Sequence, residues 1–108
     1  MTVSEFANKN GLSAICLPEG EREIEGAYVG DLLSFVMGKA QSGDAWVTIM
    51  SNQNVLAVAA LTDVACVIFA EGVKPDDSLT QTAKEKGINL LACDKDAYGI
   101  CLMLSACL

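Results

Sequence analysis

The polar residues best placed to bind a ligand follow the predicted strands of this chain. Four strand ends carry them, at Gly30-Asp31 and at residues 51–54, 71–74 and 94–96. Parallel sheets bind ligands at the carboxyl ends of their strands, beside helix N-termini. We therefore expect these four strand ends to form one rim.

The chemistry of this rim follows from its side chains. Residues 51–54 offer amides and a hydroxyl, whereas Asp31, Glu71, Asp94 and Asp96 make the rim acidic. This balance favours a neutral polar ligand, a cation or a basic partner surface. A phosphate ligand would require Lys74, Lys95 or Arg22 to reach in. The candidate ligand-binding residues are Arg22, Tyr28, Asp31, Ser51, Asn52, Asn54, Glu71 and Asp94. The alternative is that these residues are ordinary caps and loops.

Recognisable catalytic motifs are missing from the chain. It contains no histidine, the commonest general base and metal ligand. A phosphate-binding loop requires Gly-x-x-x-x-Gly-Lys-Ser/Thr, but Gly38-Lys39 is followed by Ala40 and lacks the first glycine. There is also no dinucleotide-binding glycine turn and no nucleophile elbow. The sequence therefore assigns no catalytic residue, metal site or cofactor, and we expect a protein that is not an enzyme.

Strands and helices are predicted to alternate along the chain. Strands are expected at residues 13–17, 26–30, 46–50, 64–70 and 88–93. Helices are expected at residues 2–9, from Asp31 to Met37, at 55–61, from Asp76 or Asp77 to Lys86, and at 97–108. Asp31 is expected to cap its helix. The alternation predicts one α/β domain over residues 1–108, a sandwich with a mainly parallel central sheet flanked by helices.

The stretch from Glu21 to Met37 carries a family resemblance. Arg22, Ile24-Glu25-Gly26 and Tyr28-Val29-Gly30-Asp31-Leu32-Leu33 resemble the signature of the DRTGG domain. The match is partial, since Glu21, Glu25 and Ala27 replace the usual Asp, Thr and second Gly. The resemblance extends from about Glu21 to Tyr98.

This resemblance implies a fold and a regulatory role. DRTGG domains look like the N-terminal domain of HPr kinase and the matching domain of Mur ligases, where the module is an accessory to a separate catalytic domain. They also occur as small stand-alone proteins and beside CBS pairs. The resemblance implies no specific ligand.

Charge and hydropathy restrict the partners. With 14 acidic against 7 basic residues, the net charge is −7, so we expect binding neither to nucleic acid nor to anionic membranes. No apolar run reaches the ~18 residues of a membrane span, and the N-terminus does not resemble a signal peptide. These features predict a cytoplasmic protein.

The C-terminal helix suggests self-association. The chain is 52% hydrophobic, an apolar excess that points to a subunit interface. Apolar residues lie all around the predicted helix, namely Ile100, Leu102, Met103, Leu104, Cys107 and Leu108. We therefore expect a homodimer that packs through this helix. The alternative is a helix buried between the sheet and the N-terminal helix.

The five cysteines suggest no disulfide framework or zinc site. Cys66 and Cys93 are predicted to be buried as small hydrophobic residues. The sequence as a whole predicts a regulatory or ligand-binding module that acts through dimerisation or by docking to a partner. The alternatives are a structural adaptor that binds a partner protein and an accessory protein of a kinase-like system.

Overall fold

Five strands and five helices alternate along the chain, and a computed structural model describes all of residues 1–108. The strands are β1 (Ser13–Cys16), β2 (Gly26–Val29), β3 (Asp44–Thr48), β4 (Cys66–Phe69) and β5 (Leu90–Ala92). The helices are α1 (Val3–Asn10), α2 (Leu33–Lys39), α3 (Gln53–Thr62), α4 (Asp77–Lys86) and α5 (Ala97–Cys107). All ten predicted elements are present, with ends that differ by a few residues.

The strands form one sheet in the order β1-β5-β4-β3-β2. β2, β3, β4 and β5 run parallel, which confirms the predicted mainly parallel sheet. β1 runs antiparallel to β5, so that Ser13 lies opposite Ala92. The four parallel strands therefore end at one edge of the sheet, the carboxyl edge, where β1 begins. Their starts define the opposite, amino edge.

Helices cover both faces of this sheet. Val36 of α2, Leu56 of α3 and Leu79 of α4 pack on one face with Trp46, whereas Phe6 of α1 pairs with α5 on the other. All five residues of β3 and all four of β4 are buried, as expected for central parallel strands enclosed by two helical layers. Trp46 is fully buried, and its indole N–H donates to the carbonyl oxygen of Gly30 at 2.9 Å.

The layer formed by α1 and α5 does not reach the outer strand β2. Val29 of β2 lies in register with Val47 of β3, and neighbouring residues in register point to the same face. Val47 is fully buried in the core beneath α1 and α5, yet Val29 is 44% exposed. A strip of apolar sheet therefore remains uncovered along β2.

Most helix ends follow the sequence signals. Thr2 and Glu5 form a capping box at the start of α1, and Asp76 and Asp96 cap α4 and α5 through their side chains. The prediction that Asp31 caps α2 is wrong. Leu32 occupies the N-cap position without any side-chain hydrogen bond, because the Asp31 carboxylate binds the end of β3 instead.

The two cysteines predicted to be buried differ from each other. Cys66 in β4 is fully buried, and this burial raises the pKa of its thiol to about 12. Cys93 is partly exposed, so the prediction for this residue is wrong. The reason is that β5 ends at Ala92, which places Cys93 in the loop beyond the sheet.

None of the five helices has the length and apolar character that crossing a bilayer requires.

Candidate ligand-binding site at the carboxyl edge

The parallel topology places the ends of β2, β3, β4 and β5 along the carboxyl edge. Asp31, Ser51, Glu71 and Asp94 follow these strands in that order. The structure divides this rim into two halves. In one, the polar side chains hold the fold together; in the other, they surround a cavity.

In the half formed by β2 and β3, the polar groups are engaged in internal hydrogen bonds. One carboxylate oxygen of Asp31 accepts from the Thr48 hydroxyl at 2.7 Å and from the Ile49 backbone N–H at 2.9 Å. The Asn52 side chain caps α3 by accepting from the Asn54 N–H at 3.0 Å. These contacts tie the loop after β2 to β3 and start α3, so they are structural.

The remaining candidates of this half lie nearby without converging. Tyr28 in β2 is half-buried, packs against the core beneath α2, α3 and α4, and lies across Gly30. A Cβ atom at Gly30 would lie 3.1 Å from the Tyr28 ring, so the close approach favours glycine there. Ser51 is half-buried and Asn54 is exposed.

The half formed by β4 and β5 contains a cavity of about 340 Å³. Its wall combines the loops after β4 and β5 with the α1–β1 turn and one residue of α5. The lining residues are Asn10, Gly11, Ser13, Gly72, Lys74, Ala92, Cys93, Asp94, Lys95 and Met103. Of the predicted site residues, only Asp94 lines this cavity.

Backbone hydrogen bonds hold the two strand-end loops together beside the cavity. The N–H of Glu71 donates to the Lys95 carbonyl at 2.9 Å, and the N–H of Gly72 donates to the Cys93 carbonyl at 3.0 Å. Glu71 and Gly72 both adopt left-handed backbone conformations, with φ of 60° and 74°. A Cβ atom at Gly72 would lie only 3.3 Å from a carboxylate oxygen of Asp94, so glycine suits both the turn and the contact.

The charges on the cavity wall are two lysines and one aspartate. Neither Lys74 nor Lys95 forms an ion pair, since the chain's two salt bridges are Met1 with Glu23 and Arg22 with Asp63. The stem of Lys95 packs over Gly99, where a Cβ atom would lie 3.2 Å from it. This contact leads the Lys95 side chain across the start of α5.

Arg22 lies at the amino edge, away from the other predicted site residues. It donates to the Asp63 carboxylate at 2.9 Å and to the Asp63 carbonyl at 2.6 Å, and the Ser42 hydroxyl donates to the same carboxylate. These hydrogen bonds from Arg22 and Ser42 lower the pKa of Asp63. We call this group of three residues the Arg22 latch, because it joins the segment before β2 to the end of α3.

Sequence reasoning did not predict the contribution of Asn10, Gly11, Ser13 and Met103 to the cavity. The sequence pattern predicts α1 and β1, but it carries no information on the direction in which β1 pairs. Only the antiparallel pairing of β1 with β5 brings its first residue, Ser13, beside Ala92. Gly11, which ends α1 with a φ of 68°, was the one available signal that the chain turns at this point.

Comparison with known proteins identifies a structural neighbour and a family. The fold is similar to the crystal structure of the CBS and DRTGG domains of the regulatory region of Clostridium perfringens pyrophosphatase, complexed with its activator, diadenosine tetraphosphate. The TM-score is 0.74 at 14% identity, and the match covers 95% of this chain but 45% of the other. No curated protein sequence matches the chain. The profile of the DRTGG domain matches residues 9–107, and the chain therefore belongs to the DRTGG domain family.

Proposed function

We propose that this chain is a non-catalytic regulatory module that binds a small molecule in the cavity at the carboxyl edge. The observation that carries the proposal is the cavity itself, which lies where parallel sheets bind ligands. Its wall brings together four separate segments of the chain. A bound molecule would therefore contact the loops that lead into α4 and α5 as well as Met103 of α5.

The structural neighbour supports a regulatory role. That protein is the regulatory region of a pyrophosphatase and is complexed with a small-molecule activator. Its chain also contains CBS domains, and the present chain matches less than half of it. The neighbour therefore supports regulation by a small molecule, while the cavity described here supplies the proposed location.

We further propose that the module pairs with a second copy of itself through α5. Ile100 and Leu104 face the core, but Tyr98, Leu102 and Leu108 are 71%, 53% and 55% exposed. Tyr98 and Leu102 lie four residues apart and so share one stripe of the helix. Pairing would cover this stripe, and a ligand that contacts Met103 on the same helix would affect the pairing.

A thermal-shift screen tests the ligand proposal. The panel contains adenine nucleotides, their cyclic and S-adenosyl relatives, divalent metal ions and common metabolites. A ligand present at 100 times its Kd adds about 2.7 kcal/mol to the free energy of unfolding. For a domain of this size we expect the Tm to rise by about 10 °C.

The control variant for this screen is Ser13→Tyr, which places a large side chain in the cavity wall. Ser13 is exposed at the start of an edge strand, so the substitution should leave the fold intact. A genuine cavity ligand should no longer shift the Tm of this variant. A shift that persists in Ser13→Tyr would contradict the proposed location.

Sedimentation velocity over a dilution series tests the pairing. We expect the wild-type chain to sediment as a dimer at micromolar concentration and Leu102→Glu to sediment as a monomer. The matched control is Leu61→Glu in α3, because Leu61 is 71% exposed but lies on the opposite helical layer. A wild-type chain that stays monomeric at micromolar concentration would rule out the homodimer.

A structural adaptor is the second candidate function, and the exposed apolar stripe of α5 favours it. An adaptor would retain a partner protein through α5 and would not respond to small molecules. An accessory role in a kinase-like system would show the same partner retention together with an effect on that partner's phosphorylation activity. For the location we propose the cytoplasm, since all five cysteines are unpaired, as in a reducing compartment.

A further inference from the structure

We infer that the cavity at the carboxyl edge selects an anionic metabolite, whose phosphate or carboxylate group binds between Lys74 and Lys95. The inference rests on the proposed function and adds the chemical class of the ligand. It also departs from the acidic character that the sequence of the rim suggests.

The distribution of charge is the first argument. The chain has seven basic and fourteen acidic residues, yet two of the basic and one of the acidic residues line the cavity. The lining therefore has a net charge of +1 in a protein of net charge −7. A lining with a net positive charge attracts an anion more strongly than the acidic surface of the rest of the protein does.

The other acidic residues of the rim are engaged elsewhere. The Asp31 carboxylate holds Thr48 and Ile49, and the Asp96 carboxylate accepts from the Gly99 N–H at 2.8 Å as the cap of α5. Glu71 contributes its backbone to the turn, and its side chain does not line the cavity. None of these three residues lines the cavity, so Asp94 contributes the one carboxylate of its wall.

The two lysines are available to a ligand. Neither ammonium group forms a salt bridge or a hydrogen bond with any other residue of the chain. An incoming anion would not have to break an internal ion pair. Charge-assisted hydrogen bonds of this kind are about twice as strong as neutral ones.

Asp94 narrows the class of ligand further. Its carboxylate lies against Gly72 in the cavity wall and has no basic partner within salt-bridge distance. An ionised carboxylate only accepts hydrogen bonds, so it suits a hydroxyl or amino group of the ligand. A cavity of about 340 Å³ lies at the small end of the range for small-molecule sites. These features fit a hydroxylated phosphate or carboxylate, such as a sugar phosphate or a mononucleotide.

The experiment compares charged and uncharged forms of one scaffold by isothermal titration calorimetry on the full chain. The probes are adenosine, AMP and ATP, and, as a second scaffold, glucose and glucose 6-phosphate. We expect binding by the phosphorylated member of at least one scaffold, none by its uncharged parent, and weaker binding as salt is raised. Lys74→Gln and Lys95→Gln should each weaken that binding by about tenfold or more.

Lys86→Gln is the matched control, because Lys86 is exposed in the last turn of α4 and does not line the cavity. This variant should bind like wild type. The inference is overturned if an uncharged parent binds as tightly as its phosphate, or if both cavity lysine variants bind like wild type. It is also overturned if none of the five probes binds.

The same experiments separate this inference from the proposed function. A neutral or cationic compound that raises the Tm of wild type but not of Ser13→Tyr would overturn the anion class and leave the ligand-binding module standing. If no compound of any charge raises the Tm, the proposed function fails together with the inference.

Discussion

At the amino edge of the sheet, polar side chains form hydrogen bonds within the chain, whereas at the carboxyl edge Lys74 and Lys95 have no partner within the chain. Asn89, at the amino edge, donates to the carbonyl oxygens of Glu19 and Ala65 and accepts from the Glu19 N–H. The Arg22 latch closes the same edge. The unpaired lysines lie in the β4–β5 half of the carboxyl edge, whereas the amino edge and the β2–β3 half hold the structure together through internal hydrogen bonds.

The family signature belongs to the structural side of this comparison. Arg22 ties the segment before β2 to the end of α3, and Gly26 passes over the buried Asp44 side chain, where a Cβ atom would lie 2.7 Å from its carboxylate oxygen. The carbonyl oxygen of Gly30 accepts a hydrogen bond from the indole N–H of Trp46. The signature residues thus specify how β2 joins the sheet, and the cavity is lined by residues outside the signature.

The largest expected effect is that of removing Asn89. It is 1% exposed, and its side chain makes three hydrogen bonds that join β5 to β4 and to the segment after β1. Asn89→Ala leaves the buried carbonyl group of Ala65 and two part-buried backbone groups of Glu19 without partners, which costs about 3 kcal/mol. Urea unfolding should show this loss in the free energy of unfolding.

Asn8→Ala is the control for this variant. Asn8 is exposed in the middle of α1 and its side chain makes no hydrogen bond, so the change should stay within about 0.5 kcal/mol. An Asn89→Ala variant as stable as wild type would show that the amino edge is not held by its polar contacts.

The next largest effect is expected from substituting two aspartates at the carboxyl edge. Asp31→Ala removes hydrogen bonds to Thr48 and Ile49 and should cost about 1–2 kcal/mol of unfolding free energy, with the affinity of the cavity ligand unchanged. Asp94→Ala should weaken the binding of the cavity ligand and leave the free energy of unfolding unchanged, because Asp94 makes no internal hydrogen bond and lines the cavity. Urea unfolding and calorimetric titration of both variants would measure the two quantities.

If the two aspartate variants gave the reverse of these results, the ligand-binding site would have to be placed elsewhere on the rim. If Asp31→Ala abolished binding and Asp94→Ala did not, the ligand would lie at the β2–β3 half of the rim. The division of the carboxyl edge into a structural half and a cavity half would then be incorrect.

The fold was largely predictable because its main signals are local. Unbroken apolar runs such as the one around Val67 indicate strands buried on both faces, and Gly87 after a lysine-rich turn ends α4 as expected. The direction of β1 was not predictable, since an edge strand of four residues has the same apolar pattern in either orientation. That direction decides whether Ser13 lines the cavity.

The site was less predictable because composition does not reveal which carboxylates are engaged. An aspartate after a strand is equally able to cap the following helix, as Asp96 does, or to bind the end of a neighbouring strand, as Asp31 does. Which of the two arrangements forms depends on how close the fold brings segments that are far apart in sequence. The sequence therefore indicated an acidic rim, whereas the structure shows a cavity lined by Lys74 and Lys95.

The smallest effect concerns the Arg22 latch. The side chains of Arg22 and Asp63 are 31% and 62% exposed, and ion pairs in such positions contribute about 0.2–1 kcal/mol. A double-mutant cycle with Arg22→Gln and Asp63→Asn should give a coupling energy in this range at pH 7. Asparagine tolerates the left-handed conformation of residue 63, which has a φ of 58°, so the backbone should be retained.

The pH dependence of this coupling has a defined sign. Hydrogen bonds from Arg22 and Ser42 lower the pKa of Asp63 from its ordinary value of 3.8, so its contribution to stability is complete above that value. It is lost as the pH falls through the lowered pKa, when the carboxylate takes up a proton. The hydrogen bond from Arg22 to the Asp63 carbonyl does not depend on this proton, which keeps the change small. Urea unfolding of the four chains at pH 7 and at about pH 2.5 should show a weaker coupling at the lower pH. A coupling energy of zero at both pH values would mean that Arg22 stabilises the amino edge through the Asp63 carbonyl alone, because Asp63→Asn retains that carbonyl.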